Sequence, residues 1–161
     1  MRPILTAAIA ALLLSPVAFI PMTGTTRSAA AHDAHLSAGR SGDPKKPLRS
    51  IKVIMREDGE KMLFEPAHIV VRKGEQIRFL LENDGTESHE FVLATIEENR
   101  KHALLMKKYP KMEHDDPNAK RLTPFTTGEI VWKFTQRGTF EYACLIPGHR
   151  EAGMHGTVTV K

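Results

Sequence analysis

Apolar and polar residues alternate along most of the chain after residue 50, and this two-residue period constrains the fold more than any other feature. Ile51, Val53 and Met55 form one apolar set, Ile69 and Val71 a second, and Ile77, Phe79 and Leu81 a third. Phe91 and Leu93 follow, then Ile130, Trp132 and Phe134, then Phe140, Tyr142 and Cys144, and last Val158 and Val160. Between the sets lie Asp58-Gly59, Lys73-Gly74-Glu75, Asn83-Asp84-Gly85, Arg137-Gly138 and Pro147-Gly148, residues that suit tight turns. Short strands with one buried face, joined by such turns, predict an all-β sandwich of two packed sheets. One segment departs from the pattern. Glu97 to Tyr109 sets Ala103, Leu104 and Met106 among charged residues and stops at Pro110. It predicts a short helix and a loop to Pro124, together an insertion at about 96–125.

The front of the chain has a different composition. Met1-Arg2 gives a positive start, Ile4 to Leu14 is almost wholly apolar, and no acidic residue precedes Asp33. Ala29-Ala30-Ala31 offers the small residues that signal peptidase accepts, and Pro16 and Pro21 disfavour an uncleaved anchor. Residues 1–31 are therefore expected to be a cleaved signal peptide, which places the protein in the periplasm with no stable membrane insertion. Residues 32–50 are polar and broken by Gly and Pro, and read as a flexible linker before a single domain over 51–161. The formal net charge of +4 is mild and spread along the chain, so nucleic acid is not an expected partner.

A single cysteine in an exported protein has no internal disulfide to join, so Cys144 calls for a chemical role. Around it runs GTFEYACLIPGHREAGMHGTVTV, in which His149 lies five residues after Cys144 and Met154 five further on. A strand ending at Cys144, a loop bearing His149 and Met154, and a last strand starting near His155 can bring three side chains to one point. His89, where the Asn83-Asp84-Gly85 turn leads into the next strand, offers a second imidazole. Two imidazoles and a thiolate in a plane, with a distant thioether on the axis, suit copper cycling between its two oxidation states. Zinc, the chemical rival, makes little use of a thioether, and Met154 argues against it. An immunoglobulin-like sandwich, suggested by Tyr142 two residues before Cys144, needs a second cysteine for its disulfide.

The block G-x-F-x-Y-x-C-x-x-P-G-H-x-x-x-x-M, with His89 upstream on a strand, resembles the cupredoxins, the family of azurin, pseudoazurin and plastocyanin. The likeness runs from about Phe64 to Val160. It implies an eight-stranded Greek-key β-sandwich holding one type 1 (blue) copper ion through His89, Cys144, His149 and Met154. The insertion and its MEHDDPN stretch are similar to a subgroup of periplasmic cupredoxins associated with copper tolerance. Two positions differ from the common family pattern: Glu90 stands where many members have Asn, and Ser88 where many have Gly. An Asn there ties the two ligand loops together, and a carboxylate is also able to accept hydrogen bonds.

The expected function is that of a one-electron carrier meeting redox partner proteins in small, brief contacts. The alternative is a copper-tolerance protein that sequesters, oxidises or relays periplasmic copper. Met112-x-His114, with Met106, Asp115 and Asp116 nearby, is a candidate second soft-metal site, set against the ordinary reading of a solvated loop. His32 and His35 are candidates for capturing copper beside a new N-terminus. His68, His102 and His155 have no partner pattern and are expected to be surface or strand residues. An enzyme is not expected: no Gly-rich phosphate loop is present, and a hydrolase triad has no free thiol if Cys144 binds a metal.

Overall fold

Side chains that alternate in the sequence alternate in burial, and this builds two facing sheets. The structure, a computed structural model, describes residues 38–109 and 116–161. With strands numbered in chain order, one sheet runs, edge to edge, β1 (Arg40–Ser41), β8 (Thr127–Lys133), β5 (Gln76–Asn83), β2 (Arg49–Asp58) and β3 (Lys61–Glu65). The other runs β4 (His68–Val71), β10 (His155–Val160), β9 (Gly138–Ala143), β6 (His89–Ala94) and β7 (Ala119–Leu122). The β2–β5 and β4–β10 pairs are parallel and the rest antiparallel, so the chain crosses repeatedly from one sheet to the other. This is the all-β sandwich expected from the alternation. Val53, Met55, Phe79 and Trp132 of the first sheet meet Phe91, Leu93, Tyr142 and Val158 of the second in one buried core. Phe91 links the sheets, lying 5.2 Å from the Phe79 ring and stacking on Tyr142 at 5.2 Å. Each such ring contributes about 1.5–3 kcal/mol by leaving water.

β6 is buried at all six positions, unlike a strand with one wet face. Phe91 and Leu93 pack in the core, while Val92 packs with Met106, Ala143 and Leu145 in a second, smaller cluster. Met106 comes from the expected helix, here α1 (Ile96–Lys108). Thr95 starts it with a capping box: the Thr95 hydroxyl accepts from the Glu98 N–H, and the Glu98 carboxylate accepts from the Thr95 N–H at 2.8 Å. The helix therefore covers the outer face of the sheet that leads to Cys144.

Three expectations need correction. Within the linker expected over 32–50, the described residues are built into the sandwich: Arg40–Ser41 pairs with β8, Arg49–Ser50 opens β2, and Ala38 is fully buried. The Trp132 indole donates to the Ala38 carbonyl at 3.2 Å, and Gly39, at a φ of +137°, passes so close to Lys133 that a side chain would strike its carbonyl. Contacts made through the backbone of Ala38 to Ser41 leave no hydrophobic period to read. The loop expected up to Pro124 likewise contains an edge strand, β7, where only Leu122 is buried and the ladder to β6 supplies the order. Finally, the resemblance implies eight strands, whereas the described residues form ten, with β1 and β7 as short edge strands that no alternation signals. The expected signal peptide, His32, His35, Met112, His114 and Asp115 lie outside the described residues. Among the described residues no helix is long and apolar enough to cross a membrane.

Candidate metal centre

Sheet order places the candidate ligands. β9 lies between β10 and β6 and is antiparallel to both, so the start of β6, the end of β9 and the start of β10 share one rim. His89 is the first residue of β6, Cys144 directly follows β9, and Met154 directly precedes β10. His149 sits between the last two in a tight loop. Its N–H donates to the Ile146 carbonyl at 3.1 Å, the Met154 N–H to the His149 carbonyl at 3.0 Å, and the Cys144 N–H to the Met154 carbonyl at 3.1 Å. Gly148 and Gly153, at φ of +94° and +105°, make the two reversals that fold this loop back on itself.

The donor atoms of His89, Cys144 and His149 lie within 4.8 Å of one another, and all three residues are buried. The two Nδ1 atoms are 3.2 Å apart, and His149 Nδ1 is 3.4 Å from the Cys144 sulfur. Met154 is fully buried in the core, joined to Cys144 and His149 through its backbone. Burial pushes the Cys144 thiol up to about 12, against the pull of the Glu90 and Ile146 N–H groups, so a metal must displace its proton. Burial and the neighbouring His89 ring hold His149 below the ordinary imidazole range, which keeps a lone pair available. A soft thiolate with two imidazoles, and a thioether next in the same loop, is a donor set that fits copper.

The surroundings hold these groups in place. Glu90 donates its N–H to the Cys144 sulfur at 3.4 Å, and its carboxylate accepts from the Leu145 N–H at 3.1 Å. It thus ties the strand of His89 to the loop of Cys144, the task expected of an Asn at that position. Asn83 holds the preceding turn: its amide donates to the carbonyls of Glu87 and Leu122, and its own carbonyl accepts from the Gly85 N–H. Glu57, near the end of β2, accepts from His89 Nε2 at 2.8 Å and from the N–H groups of Thr86 and Glu87. Burial raises the Glu57 carboxyl, but these donors outweigh it and leave it below the usual carboxylate range. Sequence reading missed Glu57 because it lies 32 residues before His89 and belongs to the opposite sheet. Beneath the loop, Arg150 pairs with Glu141 at 2.7 Å, and Asn99 of α1 donates to the same carboxylate at 3.1 Å.

Residues 51–161 match the plastocyanin/azurin family of copper binding proteins. The chain belongs to the cupredoxins. Among them it is 50% identical to the copper-resistant cuproprotein CopI of Rubrivivax gelatinosus, over 81% of this chain and 78% of that one. It is 34% identical to the copper-resistant cuproprotein CopI of Pseudomonas aeruginosa, over 83% of this chain and 88% of that one. Among solved structures auracyanin B shares the fold, with a TM-score of 0.63 at 22% identity, covering 77% of this chain and 96% of that one. As a cupredoxin this protein takes copper as its cofactor. Three further imidazoles stand apart from the cluster: His68 bonds to the Thr157 hydroxyl at 2.8 Å, His102 lies on α1, and His155 is exposed on β10.

Proposed function

We propose that His89, Cys144, His149 and Met154 hold one type 1 copper ion, and that this exported cupredoxin uses it in copper tolerance. The observation that carries the reading is the meeting of three buried donor atoms within 4.8 Å at one sheet rim. Copper held there supplies one-electron exchange between Cu(I) and Cu(II). The chain's own part is to keep the donors in place in both states. The ladder β10-β9-β6 sets the positions of His89, Cys144 and Met154, and Glu57 and Glu90 anchor the neighbouring loops. A frame that does not rearrange on electron transfer keeps the exchange fast.

The tolerance role is supported by the two cuproproteins named for copper resistance that the chain resembles along most of its length. Electron carriage is the second reading, and burial motivates it. His149 is 6% exposed while His89, Cys144 and Met154 are at 0%, so His149 is the edge through which a partner would make brief contact. In either role the protein acts without enzymatic turnover of its own, and its partners are redox or copper-handling proteins.

Adding Cu(II) is expected to give an intense visible thiolate-to-copper band that one electron per copper bleaches reversibly. Cys144→Ser should lose the band, and a coloured Cys144→Ser protein sinks the site. Deleting the gene should lower growth under copper stress, with rescue by the wild type and not by Cys144→Ser. Unchanged growth removes the tolerance role and leaves electron carriage.

A further inference from the structure

We propose that Glu57 is a positioning residue of the copper centre: its carboxylate orients the His89 ring and places a fixed negative charge behind it that favours Cu(II). The inference rests on the reading of His89 as a copper ligand. An ionised carboxylate only accepts hydrogen bonds, so the 2.8 Å contact requires the hydrogen on His89 Nε2. The bare lone pair then lies on Nδ1, the atom that faces His149 Nδ1 at 3.2 Å. One group thus determines which nitrogen is offered to the metal and how the ring is turned. His89 is itself fully buried, so solvent competes little for Nε2.

Glu57 is firmly held in turn. One carboxylate oxygen accepts from the Glu87 N–H at 3.1 Å as well as from His89, and the other accepts from the Thr86 N–H at 2.9 Å. The Gly85 backbone passes so near this carboxylate that a side chain at residue 85 would collide with both oxygens. The contact bridges the sandwich, since Glu57 stands on β2 in one sheet and His89 on β6 in the other. Such a carboxylate makes the imidazole a stronger donor, and its charge stabilises the more highly charged oxidation state. The other acidic group on an imidazole edge, Glu87, is 3.4 Å from His149 Nε2 with its side chain 56% exposed, where water and salt weaken its effect.

The test compares copper-loaded wild type, Glu57→Gln and, as a charge control, Glu87→Gln. Glu57→Gln keeps a carbonyl acceptor for Nε2 and removes the charge. It should lower Cu(II) affinity by about 10- to 100-fold, with a much smaller change in Cu(I) affinity, and so raise the reduction potential. Glu87→Gln should move both far less. In the Cu(I) form, proton NMR of the wild type should show a strongly downfield His89 Nε2 proton that moves upfield in Glu57→Gln. If Glu57→Gln keeps the wild-type ratio of Cu(II) to Cu(I) affinity, the inference is wrong while the site stands. The wild-type NMR spectrum serves even if Glu57→Gln does not fold, because a His89 Nε2 proton at an ordinary shift also overturns it. A wild type without a thiolate-to-copper band overturns the site and the inference together.

Discussion

Glu90 is buried beside the Cys144 sulfur and accepts the N–H of Leu145, which is also buried. Removing the acceptor leaves that donor unpaired, which costs about 1–3 kcal/mol. Glu90→Ala should therefore lower unfolding stability by that amount in a denaturant titration, and Glu90→Gln, which retains a carbonyl, should lose less. The hydrogen bond from the Glu90 N–H to the sulfur belongs to the backbone and is available in both variants. Among single residues the sequence is unevenly legible. Cys144, His149 and Met154 are near one another in the chain, so their spacing alone suggests a common target. His89 needs the turn before it and the family resemblance, because only the β6–β9 ladder carries it to Cys144. Glu57 leaves no signal at all, since an acidic residue beside an Asp58-Gly59 turn reads as solvated surface.

α1 is the element that departs from the sandwich, and its role follows from what it covers. Met106 seals the outer face of β6 and β9 against Val92 and Ala143, beside Leu145 of the ligand loop. Asn99 reaches Glu141, which holds Arg150, and Lys107 pairs with Glu151 at 2.9 Å. The helix thus braces residues on both sides of His149. Its start depends on Thr95, whose hydroxyl accepts the Glu98 N–H at 3.1 Å. Thr95→Ala should destabilise the protein by about 1 kcal/mol, read from the unfolding midpoint. Hydrogen exchange should rise in the first turn of α1 and change little in β5 and β8, which lie in the other sheet. The presence of this helix was legible from its charged, Pro-terminated sequence; that it packs over the metal loop was not.

Across the whole molecule, Glu75 links the two sheets. Its carboxylate accepts from Arg49 of β2 at 2.8 Å and from the Arg72 N–H just beyond β4 at 2.7 Å, while Arg49 also donates to the Val70 carbonyl. Burial raises this carboxyl, but Arg49 and Arg72 together leave it below its ordinary value. A carboxyl depressed on folding adds stability above its unfolded pKa and loses it as pH falls through the folded one. The Arg49 side chain is half-exposed, so water screens its share of the effect. Wild type should thus be no more than about 1 kcal/mol more stable than Glu75→Gln at neutral pH, and the gap should close on acidification below the usual carboxylate range. Melting curves of both proteins across that range check it.

The amino-acid order alone was enough to specify two packed sheets, a helical interruption, and a sulfur, an imidazole and a thioether sharing one loop. Burial period and chain proximity are local properties, written in neighbouring residues. Folding in three dimensions was needed to add β1 and β7 to the sheet edges, to lay α1 over β6 and β9, and to bring Glu57 to His89. Those outcomes depend on hydrogen bonds and packing between residues far apart in the chain, whose partners no local pattern names.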